Sequence, residues 1–583
     1  MTKWYIFCST AIFTVSGPDS PSVNYMNSNS ADSNPQFSWL TAVILGIAAF
    51  LISSSRINHG LVDSFLPDGP GLTTDESINI RQGIYLWNAF AQHGPLMMLP
   101  AKAEQVYGDP NYLPDYVPLG RFLLGATHEL TSWAIPGAEL SVVNVPAARL
   151  ASSAALAFTV FLMALWTGRR YGVTTAVIAG VLLMTMPRVV GHSRIASLET
   201  LTTLAWFAAL MPLLSWWTRA RPPTALQATV SGCLWGVLML VKIQAIFLPP
   251  TLVVFAISRY RLKSLIPLSI MAVTGLVVFF CGWPWLWLDP LQNTLSYLRS
   301  TAVRSPVNNW YLGHRFVDKL TPFHYPLVIA AVTIPLHTIV CVLTRLFQRR
   351  LQPEEGLLLL SAILPLSVFA IPGIPVYDGT RLFLFIMPAV AILAARGLAL
   401  MFDTAWNSTS ASTSPSPRKQ PDLPKLLTGI LCVLLLADAV MTATQLGPFA
   451  GDAYNVIVRA FDPDDEMFEC SYWGDALNTQ FWEQVPEGSS VAVAPVLHSP
   501  LLQHMMAMIP LVRQRGIQLE PFFYDPNEQR GLILLIHRLA DLPPVLRNPP
   551  ADNQPLVEIR LNDRILAQLI DTRKTTWSRK PAW

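Results

Sequence analysis

Residues 226–258 read LQATVSGCLWGVLMLVKIQAIFLPPTLVVFAIS, and Arg259-Tyr260-Arg261-Leu262-Lys263 follow. Two apolar runs meet at Lys242-Ile243-Gln244. A membrane-crossing helix needs ~20 apolar residues and tolerates a shorter run at some cost. A lysine is costly at the bilayer centre and tends to sit at a boundary or in a site. The stretch therefore predicts two short spans joined by a turn at Lys242, with the basic group 259–263 on the opposite side. Lysine and arginine collect on the cytoplasmic side, so the turn at Lys242 faces outward.

The same pattern runs through most of the chain. Of 583 residues, 52% are hydrophobic and 13% are charged, against ~25% charged in soluble domains. Apolar runs near Phe37–Ser54, Pro146–Trp166, Val173–Met186, Thr200–Trp217, Leu265–Gly282, Pro322–Leu346, Leu357–Ile371, Leu382–Met401 and Leu426–Leu446 join the first two. Together they predict a polytopic α-helical membrane protein with about eleven transmembrane helices. Basic clusters at 169–170, 219–221, 259–263, 345–350 and 418–425 fall on one side of this alternation. The N-terminus is then cytoplasmic. Loop 55–145, turn 188–199, Lys242, loop 283–321, Arg381 and the C-terminal tail lie outside the plasma (inner) membrane.

The remaining segments differ in composition. Residues 1–36 hold a short apolar stretch, Trp4–Val15, then Ser, Asn and Pro, and read as a disordered leader. Residues 37–446 form the membrane domain, with a Ser/Thr/Pro linker at 407–425. In loop 55–145, Ile78–Phe90 and Leu119–Leu130 have helical apolar spacing without the length to span, and read as helices along the interface. Trp283, Trp285 and Trp287 read as an interfacial aromatic belt. Residues 447–583 are soluble in composition. Strands are expected at Val491–Pro495, Ile517–Phe522 and Gly531–Ile536, and a helix at Leu501–Gln514. A hairpin across Asn562-Asp563 completes a small extracytoplasmic α/β domain.

Several function classes lack their signatures. The six cysteines have no CxxC spacing, four lie in apolar runs, and neither a disulfide framework nor a zinc site is expected. There is no HExxH and no P-loop glycine pattern. A net charge of +3 gives no reason to expect nucleic acid.

The unusual polar groups gather on the outer side. Asp75 and Glu76 open the long loop. His192 and Arg194 flank the next turn, which ends at Glu199. Lys242 and Arg381 mark two more. A carboxylate beside a lipid phosphate can act as general base toward an acceptor hydroxyl or amine. Lysine and arginine can neutralise a departing phosphate.

Six stretches carry a family resemblance. Thr74-Asp75-Glu76, with Asn79 to Gly83, resembles the acidic first-loop motif of the GT-C glycosyltransferases, in the branch of protein O-mannosyltransferases and the lipid A aminoarabinose transferase (glycosyltransferase family 39-like). Asp115-Tyr116-Val117-Pro118-Leu119-Gly120-Arg121 resembles that branch's second loop motif, with Val117 in place of the first of two prolines and no basic residue before it. Ser193 to Glu199 is similar to the second acidic turn, where aspartate is more usual. Gly236 to Pro249 and Tyr377 to Pro388 are similar to the family's lysine span pair and late arginine loop. Tyr472-Trp473-Gly474 resembles a subset with an outer C-terminal domain.

The resemblance implies a GT-C-like fold and transfer of a hexosyl or pentosyl unit from a polyprenyl-phosphate donor to a lipid, glycan or protein acceptor at the outer face. It implies Asp75 as catalytic base or acceptor-positioning carboxylate, supported by Glu76, with Glu199 as the second acidic residue. Lys242 and Arg381 would contact the donor phosphate, with His192 and Arg194 near it. Asp115, Tyr116 and Arg121 would form an acceptor or sugar loop. No protein metal ligand is expected. Some relatives in the wider fold use a divalent metal, while this branch is generally thought not to need one.

Plainer readings stand beside these. Asp75, Glu76 and Glu199 also suit helix N-termini, and Lys242 also suits an interfacial anchor. A secondary transporter would place charges near the midplane on repeated broken helices, whereas these cluster at one face and no repeat is seen. A non-catalytic envelope assembly protein would leave Asp75 replaceable. A polysaccharide polymerase or ligase would be led by arginine rather than carboxylate.

Overall fold

The helix Ala225–Val241 ends where Lys242 interrupts the apolar run. Lys242 is extended (φ −164°, ψ 154°), and a 3-10 turn, Ile243–Phe247, restarts the chain into the helix Leu248–Tyr260. Arg261, with φ 54°, breaks the helix within the basic group, and Leu265–Gly282 returns along Ala225–Val241. The computed structural model describes residues 39–62, 67–135, 142–302, 306–348, 350–410, 423–462, 467–522, 531–547 and 554–574. The leader at 1–36 and most of the Ser/Thr/Pro linker lie outside the described residues.

Among the described residues, four helical stretches are long and apolar enough to cross a membrane: Val145–Tyr171, Leu198–Trp217, Ile243–Gly282 and Arg381–Met401. Two bent pairs raise the number to six, and Trp39–Ser54, Ala225–Val241 and Val433–Ala443 are shorter apolar helices. The chain is thus a multi-pass helical protein.

The run 322–346, expected as one span, is two helices, Tyr325–Thr333 and Leu336–Phe347, bent by 112°. Ile334 precedes Pro335 and is held extended (φ −75°, ψ 132°), because a proline ring crowds the helical conformation of the residue before it. The turn at 188–199 likewise contains a short helix, Pro187–Ser193, set at 70° to Val173–Met184 after extended Met186.

Among the described residues, members of four basic clusters make contacts between neighbouring helix ends. Arg170 pairs with Glu354, while Arg345 and Arg396 donate to Glu355 at 3.0 and 3.1 Å. The Arg259 Nε donates to the Arg219 carbonyl at 2.8 Å. Arg396 lies on the helix that starts at Arg381. At ~2 Å rise per residue through the 3-10 start and ~1.5 Å beyond it, the two arginines are roughly 25 Å apart along the span. Lys242 is separated from Arg219 by the length of Ala225–Val241 in the same sense.

Loop 55–145 contains the helices Thr74–His93 and Pro118–Thr131, close to the two expected. They pack on one another, and Pro118–Thr131 also packs on Val145–Tyr171. A Cβ on Gly125 would lie 2.0 Å from the Gly83 carbonyl, so backbone meets backbone and the pair tolerates no side chain there. Trp283 is not part of an aromatic belt. It is fully buried, and its indole N–H donates to the Tyr112 hydroxyl at 2.8 Å. Beyond it a hairpin pairs β1 (Asn308–Tyr311) with β2 (His314–Val317) antiparallel.

The C-terminal region holds a five-stranded mixed sheet. Its strands are β3 (Ser490–Ala494), β4 (Gln518–Pro521), β5 (Leu532–Ile536), β6 (Val557–Leu561) and β7 (Arg564–Asp571), in the order β4-β3-β5-β7-β6. β3 runs parallel to β4 and β5, and β7 antiparallel to β5 and β6. Asn562 (φ 57°) turns the β6–β7 hairpin where the sequence placed it. The single helix expected at 501–514 is split into Ser499–Met508 and Pro510–Gln514, again before a proline. Val491, Leu534 and Leu569 share one apolar cluster with Leu72, Ile80 and Leu198. The sheet is therefore seated on the loop that opens with Asp75.

Candidate active site

Glu76 fixes where that loop sits. Its carboxylate accepts the Thr73 amide at 2.9 Å, closing the first turn of Thr74–His93. It also accepts the Ala196 amide at 2.6 Å and, at 2.8 Å each, Nε and Nη2 of Arg149. Arg149 donates further to the carbonyls of Pro70 (2.7 Å) and Gly71 (2.6 Å). Both side chains of the pair are 1% exposed. The pair ties together the segment before the helix, the helix start, the span Val145–Tyr171 and the turn that leads to Glu199. Arg149 was legible as an ionisable residue inside an apolar run, yet it was not among the expected site residues.

Asp75, one residue earlier, points the other way. Its carboxylate meets the guanidinium of Arg381 and remains 43% exposed. Behind it, Glu199 is buried, and its Oε1 accepts both Lys242 Nζ and Arg381 Nε at 2.6 Å. The two cations come from helix breaks: Lys242 from the extended cap of Ala225–Val241, and Arg381 from the 3-10 start of Arg381–Ile386. Glu199 comes from the first turn of Leu198–Pro212. Arg381 also donates Nη1 to Asp378 at 3.0 Å. One guanidinium thus bridges three carboxylates from three segments. Among the described residues, no three His, Cys, Asp or Glu side chains converge as metal ligands.

The other expected residues divide. Tyr116 lies close enough to Asp75, Tyr377, Arg381 and Glu199 to be influenced by each, and burial with the Asp75 charge pushes its phenol well above the ordinary range. It is a neutral hydroxyl at physiological pH. Asp115 and Arg121 do not join the cluster. They form a bidentate pair (2.7 and 3.1 Å), with Arg121 also donating to Asn79 at 3.0 Å and stacking 4.9 Å from the Tyr116 ring. They brace the loop that presents Tyr116. His192 is buried edge-on to Tyr472, 5.4 Å between ring centroids, with Nδ1 unpartnered, and is near the cluster. Arg194 is not near it: its guanidinium donates to the carbonyls of Leu446, Gly447 and Ile52.

Sequence reading missed the C-terminal contribution. Asp378 is buried, and its Oδ1 accepts Arg538 Nη2 at 2.8 Å and the Trp473 indole N–H at 3.3 Å. Burial acts to raise its pKa, but the Arg538 and Arg381 charges outweigh it and hold the carboxyl below its ordinary range. Tyr472 lies 5.8 Å from Arg381, ring centroid to guanidinium, and the Trp473 carbonyl accepts the Thr74 amide at 3.2 Å. The Tyr472-Trp473-Gly474 motif was a signal for this contact. Arg538 had none, because nothing local distinguishes it from a surface arginine.

Three carboxyls behind the cluster titrate unusually. Burial raises Glu469 to about 7, against the opposing Arg538 charge. Burial raises Asp452 to about 6, and burial with the neighbouring Asp452 charge raises Asp475, hydrogen-bonded to it, well above the ordinary carboxylate range. A pKa raised in the folded state gives stability that is present below the ordinary carboxylate range and lost as pH rises through the folded value. The melting temperature in detergent is therefore expected to fall between about pH 5 and pH 8. Glu469→Gln, which cannot ionise, should remove part of that fall, on the order of 3 kcal/mol. A wild-type melting temperature flat over this range would contradict the assignment.

Residues 130–287 match the family model described as dolichyl-phosphate-mannose-protein mannosyltransferase. No curated protein sequence matches the chain. Among solved structures, the chain is similar to ArnT from Cupriavidus metallidurans in the apo state (13% identity, TM-score 0.46, 91% of this chain and 97% of that one). The same protein bound to undecaprenyl phosphate matches at 14% identity, with the same TM-score and coverage. The archaeal oligosaccharyltransferase AglB from Archaeoglobus fulgidus, in complex with an inhibitory peptide and a dolichol-phosphate, matches at 13% identity and TM-score 0.44, over 85% of this chain and 70% of that one. The segment that carries Glu199 and Lys242 thus fits the dolichyl-phosphate-mannose-protein mannosyltransferase model.

Proposed function

We propose that this protein is a membrane glycosyltransferase that moves a sugar from a polyprenyl-phosphate donor to an acceptor at the outer face of the plasma membrane. One observation carries the reading. A half-exposed carboxylate, Asp75, faces two cations, Arg381 and Lys242, whose charges are balanced by a buried carboxylate, Glu199. The set lies at the end of the helices opposite the basic clusters, which the charge rule assigns to the cytoplasm. The match of residues 130–287 to the mannosyltransferase model supports the donor class.

The donor phosphate takes up the contacts of Arg381 and Lys242 in competition with Glu199, which keeps the pair from binding an anion too tightly to release. The acceptor hydroxyl or amine attacks the anomeric carbon from the face opposite the phosphate. Its proton passes to Asp75 as the new bond forms. The bond from the anomeric carbon to the phosphate oxygen breaks with its electron pair left on that oxygen. The polyprenyl phosphate departs with its developing charge held by the two cations. Configuration at the anomeric carbon inverts. Tyr116, as a neutral phenol, donates to or accepts from substrate at the mouth. Glu76 acts on Asp75 by position alone, and a C-terminal sheet outside the membrane closes the site.

The test is transfer of radiolabelled sugar from a panel of polyprenyl-phosphate hexoses and pentoses in membranes containing the protein. Labelled acceptor together with free polyprenyl phosphate is the expected result. If no donor in the panel is cleaved, the reading fails, and solute transport or envelope assembly moves forward.

A further inference from the structure

The cluster is completed from a distance. Arg538 follows β5 in the C-terminal sheet and is 1% exposed. Its Nη2 donates to Asp378 Oδ1 at 2.8 Å and to the Asn308 carbonyl at 3.2 Å, and its Nε donates to Asp541 at 2.6 Å. The guanidinium lies 3.9 Å over the Trp473 ring, and that ring's N–H donates to the same Asp378 oxygen. Glu469 accepts the amides of Leu539 and Ala540, which fixes the turn that carries Arg538. The other oxygen of Asp378 accepts from Arg381. A two-link chain, Arg538 to Asp378 to Arg381, therefore joins the sheet to the cation that faces Asp75.

The backbone at this junction is constrained. Asp378 has φ 55° and Gly379 φ 63°, both in the left-handed region. The Asp378 amide donates to Asn309 at 3.3 Å and the Gly379 amide to the Tyr325 hydroxyl at 3.1 Å. A carboxylate held this way still has two demands on it. Unopposed, its charge would draw Arg381 away from Glu199 and Asp75. Arg538 supplies the opposing charge and fixes the rotation of the carboxyl, leaving Nε and Nη2 of Arg381 directed into the site.

We propose that Arg538 is a positioning residue for the transfer reaction, acting through Asp378 to set the orientation of Arg381 toward the donor phosphate. The C-terminal sheet is then part of the catalytic apparatus, and detachment of its Arg538 turn would weaken phosphate binding. This inference rests on the donor reading above.

The experiment compares wild type, Arg538→Gln, Arg538→Lys, Asp378→Asn and the Arg538→Gln/Asp378→Asn pair, each as full-length protein in detergent. It measures equilibrium binding of a short-chain polyprenyl phosphate, then transfer kinetics. Arg538→Gln is expected to weaken binding and lower transfer by about 10- to 100-fold, since misplacing a binding group by ~1 Å costs that order. Arg538→Lys should recover part, because an ammonium keeps the charge but cannot serve Asp378, Asp541 and Asn308 together. The double variant should be within about 2-fold of Asp378→Asn alone, the non-additivity expected of residues in one chain.

A merely structural role predicts otherwise: additive losses that track melting temperature, with affinity for the phosphate unchanged in the folded fraction. That result, or a folded Arg538→Gln protein with wild-type affinity, overturns the proposal. If wild type binds the polyprenyl phosphate but transfers no sugar, the reaction class is wrong while the binding series still decides the role of Arg538. If wild type does not bind it, both fall.

Discussion

Asp75→Asn is expected to abolish sugar transfer while leaving the protein folded and able to hold a polyprenyl phosphate. Of the three carboxylates that meet Arg381, Asp75 is the exposed one, and Glu199 and Asp378 are buried, each held by a second cation. Only Asp75 is open to an incoming acceptor. Replacing its carboxylate with an amide removes the proton acceptor and keeps the shape. Loss of a general base typically costs ~10²- to 10⁴-fold in rate. Stability should barely change, because a half-exposed ion pair contributes little. The measurement is the initial rate of labelled-sugar transfer at equal protein, beside binding of the unglycosylated lipid phosphate. Asp75→Glu should fall between, with the carboxylate displaced by one methylene. If Asp75→Asn transfers at the wild-type rate, the base lies elsewhere and the assignment of this loop is wrong.

Arg149→Met is expected to be the most destabilising single change near the site, although Arg149 touches none of the cations that face Asp75. Arg149 and Glu76 form a fully buried pair, and the same guanidinium satisfies two loop carbonyls. Removing one partner of a buried pair leaves an uncompensated charge and costs ~3–5 kcal/mol. Here it also frees the segment at residues 70–73 from the span that anchors it. Low yield and a markedly lower melting temperature in detergent are expected, with residual transfer reduced because Asp75 follows the segment. Glu76→Gln should also destabilise, since one amide oxygen can still accept from Arg149 Nε and Ala196 but the buried guanidinium is left without its counter-charge. The Glu76→Gln/Arg149→Met double should lose less than the sum of the singles, the mark of a coupled pair. An Arg149→Met protein that melts with wild type would remove the pair from its structural role.

The two series separate functions that adjacent residues conceal. Asp75 and Glu76 are neighbours in a first helical turn, where successive side chains point to different sides. One carboxylate is turned toward the cations and the other into the packed interior. The Thr73-x-x-Glu76 spacing is a capping-box signature that marks Glu76 as the acid turned back on the helix start, but nothing local marks Asp75 as the one facing the cations.

Much of the architecture was written in local pattern. Apolar runs, their basic ends and the interruption at Lys242 follow from the cost of putting charge in hydrocarbon, a property of each residue and its immediate neighbours. Asp75, Glu199, Lys242 and Arg381 could be named for the same reason, as charged groups at helix breaks on one side of an apolar bundle. The bends before Pro187 and Pro335 were present in the sequence too, though hydropathy alone smoothed over them. Tertiary structure decided the rest. That Arg194 turns to backbone carbonyls, that Glu76 closes on Arg149, and that Arg538 reaches Asp378 are matters of which distant segments meet. A buried charge must find a partner wherever the fold brings one: Glu76 and Arg149 are 73 residues apart and Arg538 and Asp378 are 160 apart, separations that packing closes and local spacing does not specify.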